Sequence, residues 1–376
     1  MTCRLLYLVG SLVLGGLERQ LVLLLQAMDR TRYRPAVAVW DFDGADPFVR
    51  AVRALDVPLH AVPRRPTRLG RLAAFRRLAA QLRPEVIHSF SFFTNLAAWA
   101  AAPGAGAVAL GSVQSDFVHD QRSTGRVLGP LCARWPRDQI FNSASAAARA
   151  RRARGPFAPA RAFVVRNAVD LARFAPAAAP ADAARARLLG VGALEPTKRW
   201  DRFVDAVGAL VHSGFDVEAT IVGEGPLRPL VERRARARGI ADRVRLLGAV
   251  ADDACLARLY ADATLLVHTG DVEGTPNVVL EAMACARPVV AADTGDVSAL
   301  VEDGTTGFVV PGDDATALRD RIGTLLADRP LCRRMGGAGR ARAEREFAPG
   351  GLVAGTLAAY RAAGWRAGPD AEAPAP

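Results

Sequence analysis

Cysteine is scarce in this sequence, and what there is lies scattered. The five cysteines, Cys3, Cys132, Cys255, Cys285 and Cys332, are odd in number and form no CxxC or Cys/His cluster. That pattern excludes a disulfide framework and a structural zinc site, and it fits a reducing, cytoplasmic compartment. Aromatic residues make up 6% of the chain and nowhere interleave with its runs of positive charge. The stacking platforms of nucleic-acid binders are therefore missing, and nucleic acid is not an expected partner. No run approaches the ~20 unbroken apolar residues of a membrane span. The apolar start MTCRLLYLVGSLVLGG is like a weak signal peptide, but Gly10 breaks it and LERQLVLLLQAM continues with helical spacing. A buried strand, a Gly-rich loop and a helix are the expected reading.

What the chain does have is apolar mass and positive charge. Hydrophobic residues are 51% of 376, enough for a large core, and the length suits two domains. Net charge is 49 − 38 = +11, which favours phosphates or an anionic membrane surface as partners. Short β-rich runs alternate with helical patterns throughout. Strands are expected at 5–9, 34–40, 59–62, 86–89, 107–112 and 139–141, and again at 188–192, 218–222, 244–247, 263–268, 288–292 and 307–310. Such alternation implies parallel sheets covered by helices on both faces. The Pro- and Ala-rich stretch 155–180 reads as a linker. The expectation is an α/β chain of two doubly wound, Rossmann-like domains. One spans 1–165 and is joined by the last helix, 350–366. The other spans 166–349, and 367–376 forms a disordered tail. Ligands in such folds sit at the carboxyl ends of the strands, where the strand order reverses, and two such domains face an interdomain cleft.

Four stretches carry candidate chemistry. Gly15-Gly16-Leu17-Glu18 follows the first strand, where glycines let a phosphate or sugar approach a helix start; the alternative is a tight strand-to-helix turn. VGALEPTKRW places Lys198 and Arg199 beyond a strand and before a helix, which suits a diphosphate; a solvated charge pair is the plain alternative. IVGEGP puts Gly223 and Gly225 just after a strand, widening a crevice for a base or ribose, or simply making a turn. DVEGTPNVVLEAMA has Glu273 before a helix and Glu281 inside it, with Gly274 supplying the turn, Thr275 as expected N-cap and Pro276 as first helical residue. A carboxylate accepts two hydroxyl hydrogen bonds in a fork, as a sugar diol requires. The nearly all-apolar surroundings of Glu281 would make it costly to bury without a partner.

Other signals are weaker. Asp41-Phe42-Asp43 is a poor metal motif, because a glycine follows it at a strand end. His88 ends a strand and His119 follows the next one; a lone histidine is more often structural. The segment 64–83 holds Arg64, Arg65, Arg68, Arg71, Arg76, Arg77 and Arg83, in and just before a basic helix, 69–83, which could lie on an anionic membrane or be a solvated face.

With these residues the chain resembles the retaining glycosyltransferases of family 4, with the GT-B fold, over nearly its whole length. EGTPNVVLE matches the E-x7-E motif of that family; GGLE, NSASA at 142–146 and NAVDLARF at 167–174 match in place and order. The resemblance implies that Lys198 grips the diphosphate of a nucleotide-sugar donor and that Glu281 binds its ribose. It implies that Glu273 orients the donor sugar. Backbone N–H groups from Gly274 through Thr275 and Pro276 to Asn277 would line sugar and phosphate, and Gly16 would lie under the diphosphate. Transfer would retain configuration and need no metal or other cofactor. The acceptor would be a saccharide or lipid-linked hydroxyl, used in envelope or exopolysaccharide synthesis at the inner membrane face. The chain departs from the pattern at Ala193, where the family often has Arg, which shifts phosphate binding toward Arg199. It departs again at SVQSD, where many members carry a histidine that His119 or Gln114 would replace. Two rivals remain: a nucleotide-sugar epimerase of the same fold, and a non-catalytic envelope-assembly partner.

Overall fold

The computed structural model describes residues 2–153, 157–177 and 185–366. The expected tail at 367–376 lies outside the described residues. The chain divides into two compact units: the chain up to Asn167 together with the segment from Pro349 onward, and Ala168–Ala348.

The first unit is built on a seven-stranded sheet. Its strands are β1 (Cys3–Val9), β2 (Tyr33–Val39), β3 (Leu59–Ala61), β4 (Val86–Ser89), β5 (Val108–Val113), β6 (Asp138–Phe141) and β7 (Arg161–Val164), in the order β3-β2-β1-β4-β5-β6-β7. All neighbours pair in parallel. The apolar start of the chain is β1, an interior strand of the sheet between β2 and β4, with Leu5, Leu6, Tyr7, Leu8 and Val9 buried. Each such side chain removed from water contributes ~1.5–3 kcal/mol, so this run is set as a strand by burial on both faces. β7 corrects the linker reading of 155–180. Its four residues are at most half-buried and flanked by Pro- and Ala-rich chain, so neither periodicity nor length announced it. What holds it is lateral: Arg161 donates to Asp138 of β6 at 2.5 Å.

The helix Pro349–Ala362 packs in this unit, beside the helix Gly16–Ala27. His88 fixes it there. Its Nδ1 lies 2.8 Å from the Tyr360 hydroxyl and its Nε2 2.8 Å from the Ser112 hydroxyl. Burial pushes the His88 ring down to about 3, so it is neutral and bonded through both nitrogens.

The second unit repeats the plan with six parallel strands: β8 (Ala186–Val191), β9 (Val217–Val222), β10 (Val244–Gly248), β11 (Leu265–His268), β12 (Val289–Ala292) and β13 (Gly307–Val310), ordered β10-β9-β8-β11-β12-β13. Two apolar cores flank the sheet. One includes Trp200, Phe203 and Leu210 of the helix Trp200–His212, and the other Leu280 and Met283 of the helix Asn277–Ala284. In both sheets the order reverses at the first strand, between β1 and β4 and between β8 and β11. Loops leaving those pairs of strands diverge to opposite sides, which opens a crevice at the carboxyl ends.

Candidate active site

The crevice of the second unit collects most of the predicted residues. β8 leads into the loop 192–199, which closes with a 3-10 turn, Pro196–Lys198. β11 leads into the loop 269–276. Two bonds stitch the loops together, and a third ties the first loop to the helix that follows it. The Thr269 hydroxyl donates to the Lys198 carbonyl at 3.0 Å, the Asp271 N–H donates to the Thr197 carbonyl at 2.8 Å, and the Trp200 indole N–H donates to the Ala193 carbonyl at 2.8 Å.

This stitching sets Lys198 Nζ 2.5 Å from Glu273 Oε1. The lysine side chain is 26% exposed and the carboxylate 11%. The pair sits where chain separation in sequence is 75 residues, so it is a product of strand order rather than of local structure. Gly274, Thr275 and Pro276 are buried behind it. The helix Asn277–Ala284 starts one residue later than expected. Pro276 occupies the N-cap position and no side chain caps the helix, which corrects the N-cap role expected of Thr275. Proline offers no side-chain acceptor, and the Val279 N–H donates instead to the Pro276 carbonyl at 3.2 Å. Behind the entrance the Gly274 carbonyl accepts from the Asp296 N–H at 2.9 Å.

Glu281 lies in the second turn of that helix, 4% exposed. Its Oε2 accepts from the Tyr260 hydroxyl at 2.7 Å, and Phe174 packs edge-on against the Tyr260 ring. This answers the cost of a carboxylate among apolar neighbours: a buried hydroxyl donates to it.

Other predicted residues are placed differently. Arg199 does not reinforce Lys198. Its guanidinium is held by Asp201 at 2.9 Å and by Asp271 at 2.8 Å, and these bonds raise its pKa above the ordinary arginine range. Arg202 also donates to Asp271, so two cations meet two anions and no net charge remains for a phosphate. Gly223 packs tightly against the loop after β8: a Cβ there would lie 1.9 Å from the Gly192 carbonyl oxygen. Gly16 opens the helix Gly16–Ala27 of the first unit, behind an extended Gly15 N-cap. His119 is exposed on the helix Phe117–Ser123 of that unit. Gln114 lends its backbone carbonyl to the Asn142 amide at 2.9 Å. Asp41 pairs with Arg71 at 2.8 Å, and no group of three metal-ligating side chains occurs among the described residues.

Sequence reasoning missed His268. It closes β11, 5% exposed, with Nε2 3.4 Å from Glu273 Oε1. Burial pushes its pKa down, Glu273 opposes that and Lys198 adds to it. The signal was a histidine at the end of an all-apolar strand, five residues before a motif glutamate.

Two family models match the chain. Residues 14–173 match Glycosyltransferase Family 4, and residues 185–328 match Glycosyl transferases group 1. Among curated proteins, an alpha-D-kanosaminyltransferase of Streptomyces kanamyceticus is 35% identical over 148 residues, 39% of this chain and 38% of that one. A GDP-mannose-dependent alpha-(1-6)-phosphatidylinositol monomannoside mannosyltransferase of Mycolicibacterium smegmatis is 37% identical over 153 residues, 39% of this chain and 40% of that one. The matched segments span half or less of the length of these curated relatives. Among solved structures, Anabaena HepE in complex with UDP and glucose superposes with a TM-score of 0.80 at 22% identity, over 94% of this chain and 99% of that one.

Proposed function

The chain belongs to glycosyltransferase family 4, and we propose that it moves a hexose from a nucleotide-sugar to a hydroxyl of a saccharide or lipid-linked acceptor, with retention and without a bound metal. The observation that carries this reading is the pairing of Lys198 with Glu273 at the β8/β11 crevice, beside a helix start that no side chain caps. A lysine there neutralises a leaving diphosphate, and the positive end of the helix dipole adds to that. Glu273 orients sugar hydroxyls, and Glu281 accepts from the ribose diol while Tyr260 holds its other side. In the transfer, the acceptor oxygen bonds to the anomeric carbon as the bond from that carbon to the phosphate oxygen breaks. The departing diphosphate takes the acceptor's proton on the same face. The protein contributes positioning and electrostatic stabilisation.

A membrane-borne acceptor is supported by the segment 64–83. Of its seven arginines only Arg71 has a carboxylate partner among the described residues, and Leu69 is 79% exposed. That surface suits peripheral attachment to an anionic inner leaflet; no helix among the described residues is long and apolar enough to cross a membrane. The reading is tested by incubating the protein with UDP-glucose, GDP-mannose and ADP-glucose. Binding and slow donor hydrolysis with at least one of them are expected, and Glu281→Ala should weaken nucleotide affinity about tenfold or more. Absence of both binding and hydrolysis with all three donors would sink the proposal.

A further inference from the structure

Glu273 has two neighbours able to donate to it, and only one is engaged. Lys198 Nζ is on Oε1 at 2.5 Å. His268 Nε2 stands 3.4 Å from the same oxygen, is not aligned as a hydrogen bond, and has no other hydrogen-bond partner. A buried ring nitrogen with nothing to bond carries a desolvation penalty. It is aimed at a carboxylate whose present partner is, in the reaction proposed above, needed elsewhere. When Lys198 turns to the donor diphosphate, Glu273 would be left as a largely buried, uncompensated charge.

We propose that His268 is a positioning residue that takes Glu273 over from Lys198 when the donor binds, its Nε2–H holding the carboxylate in the orientation that meets the sugar. This rests on the assignment of Lys198 and Glu273 to the donor. The ring is well placed to act as a fixed arm. It ends a strand paired with β12, where His268 registers opposite Ala291, so its backbone does not move with the loops. Gly270 leaves the space between ring and carboxylate open: a Cβ there would lie 3.2 Å from Glu273 Oε1 and 3.4 Å from His268 Cε1. The charged groups facing the ring are Glu273 and Lys198. No proton transfer is involved, because a neutral imidazole donates from one nitrogen.

His268→Phe keeps the ring's bulk and removes the donor, whereas His268→Gln keeps a donor. With whichever of UDP-glucose, GDP-mannose and ADP-glucose the wild type uses, kcat/KM should fall about 10- to 100-fold in His268→Phe and largely recover in His268→Gln. Affinity for the free nucleoside diphosphate should stay unchanged in both. A His268→Phe enzyme with wild-type kcat/KM would overturn the inference alone. So would equal losses of diphosphate and donor affinity in both variants, since that is the mark of a packing role. A wild type silent toward every donor and diphosphate would instead overturn the reading of the site, and this inference with it.

Discussion

The two sheets reverse strand order at the same place, yet only one reversal carries paired charge. At β8/β11 the loops bring together Lys198, Glu273 and His268. At β1/β4 the loops are nearly apolar. The Gly10 N–H donates to the Ser91 hydroxyl at 2.9 Å, and a Cβ on Gly10 would lie 2.6 Å from the Phe93 ring. The carboxylate here, Glu18, is buried and folds back over Gly15, 2.3 Å from where a Cβ would stand. Topology thus supplies a crevice twice, and the side chains delivered to it differ. The first unit offers glycine-rich backbone, while the second offers the charges that a diphosphate and sugar hydroxyls need.

The largest expected effect breaks that asymmetry directly. Lys198→Ala removes the cation from the second crevice and should lower kcat/KM by about 10²–10³-fold, the usual cost of losing one group that stabilises a leaving anion. Its effect on folding should be the smaller one, because the lysine side chain is 26% exposed and His268 stands within reach of the carboxylate it leaves. Steady-state kinetics and a urea midpoint on the same preparation separate the two. A Lys198→Ala enzyme within threefold of wild type would remove the chemical distinction between the crevices.

The next effect concerns stability and compares one glycine from each unit. Gly223→Ala forces a methyl group against the Gly192 carbonyl oxygen. That contact is backbone on backbone and cannot relax without moving the loop after β8, so a loss of about 3 kcal/mol is expected. Gly15→Ala meets only the end of the Glu18 side chain, which can swing aside, so the loss should be about 1 kcal/mol or less. Equal urea midpoints for the two variants would contradict this contrast between a rigid second crevice and an adaptable first one.

Much of this was legible in the sequence because it depended on local pattern. All twelve expected strands coincide with observed ones to within two residues at each end, since buried parallel strands are short apolar runs between turn residues. Glu273, Glu281 and Lys198 stood out as charges in apolar or strand-end settings. The misses depended on partners distant in sequence. β7 is fixed by pairing with β6, where Arg161 meets Asp138, rather than by an apolar pattern of its own, and His268 gains meaning only when Glu273 returns to it. Arg199 looked like a second phosphate ligand until Asp201 and Asp271 were seen to hold it. The close approach of Gly223 to the Gly192 carbonyl likewise joins residues far apart in sequence.

The smallest effect sharpens the comparison through pH. Burial raises Glu18 to about 7, with Asp46 adding to the shift and its own backbone N–H opposing it. A carboxylate with a raised folded pKa binds a proton more tightly in the folded state. Its stabilising contribution is therefore present below the unfolded value near 4.5 and lost as pH rises through about 7. His88, lowered to about 3, acts in the opposite sense: the folded state loses stability as pH falls from the unfolded value near 6.5 toward 3. Between about 4.5 and 6.5 the two oppose each other and flatten the wild-type curve. Glu18→Gln removes only the first. Relative to wild type it should be near neutral at pH 4.5 and more stable by about 1–2 kcal/mol at pH 7.5. Urea midpoints at the two pH values measure the difference, and a pH-independent difference would mean that the Glu18 carboxylate is not held buried over Gly15, making the first crevice as open to charge as the second.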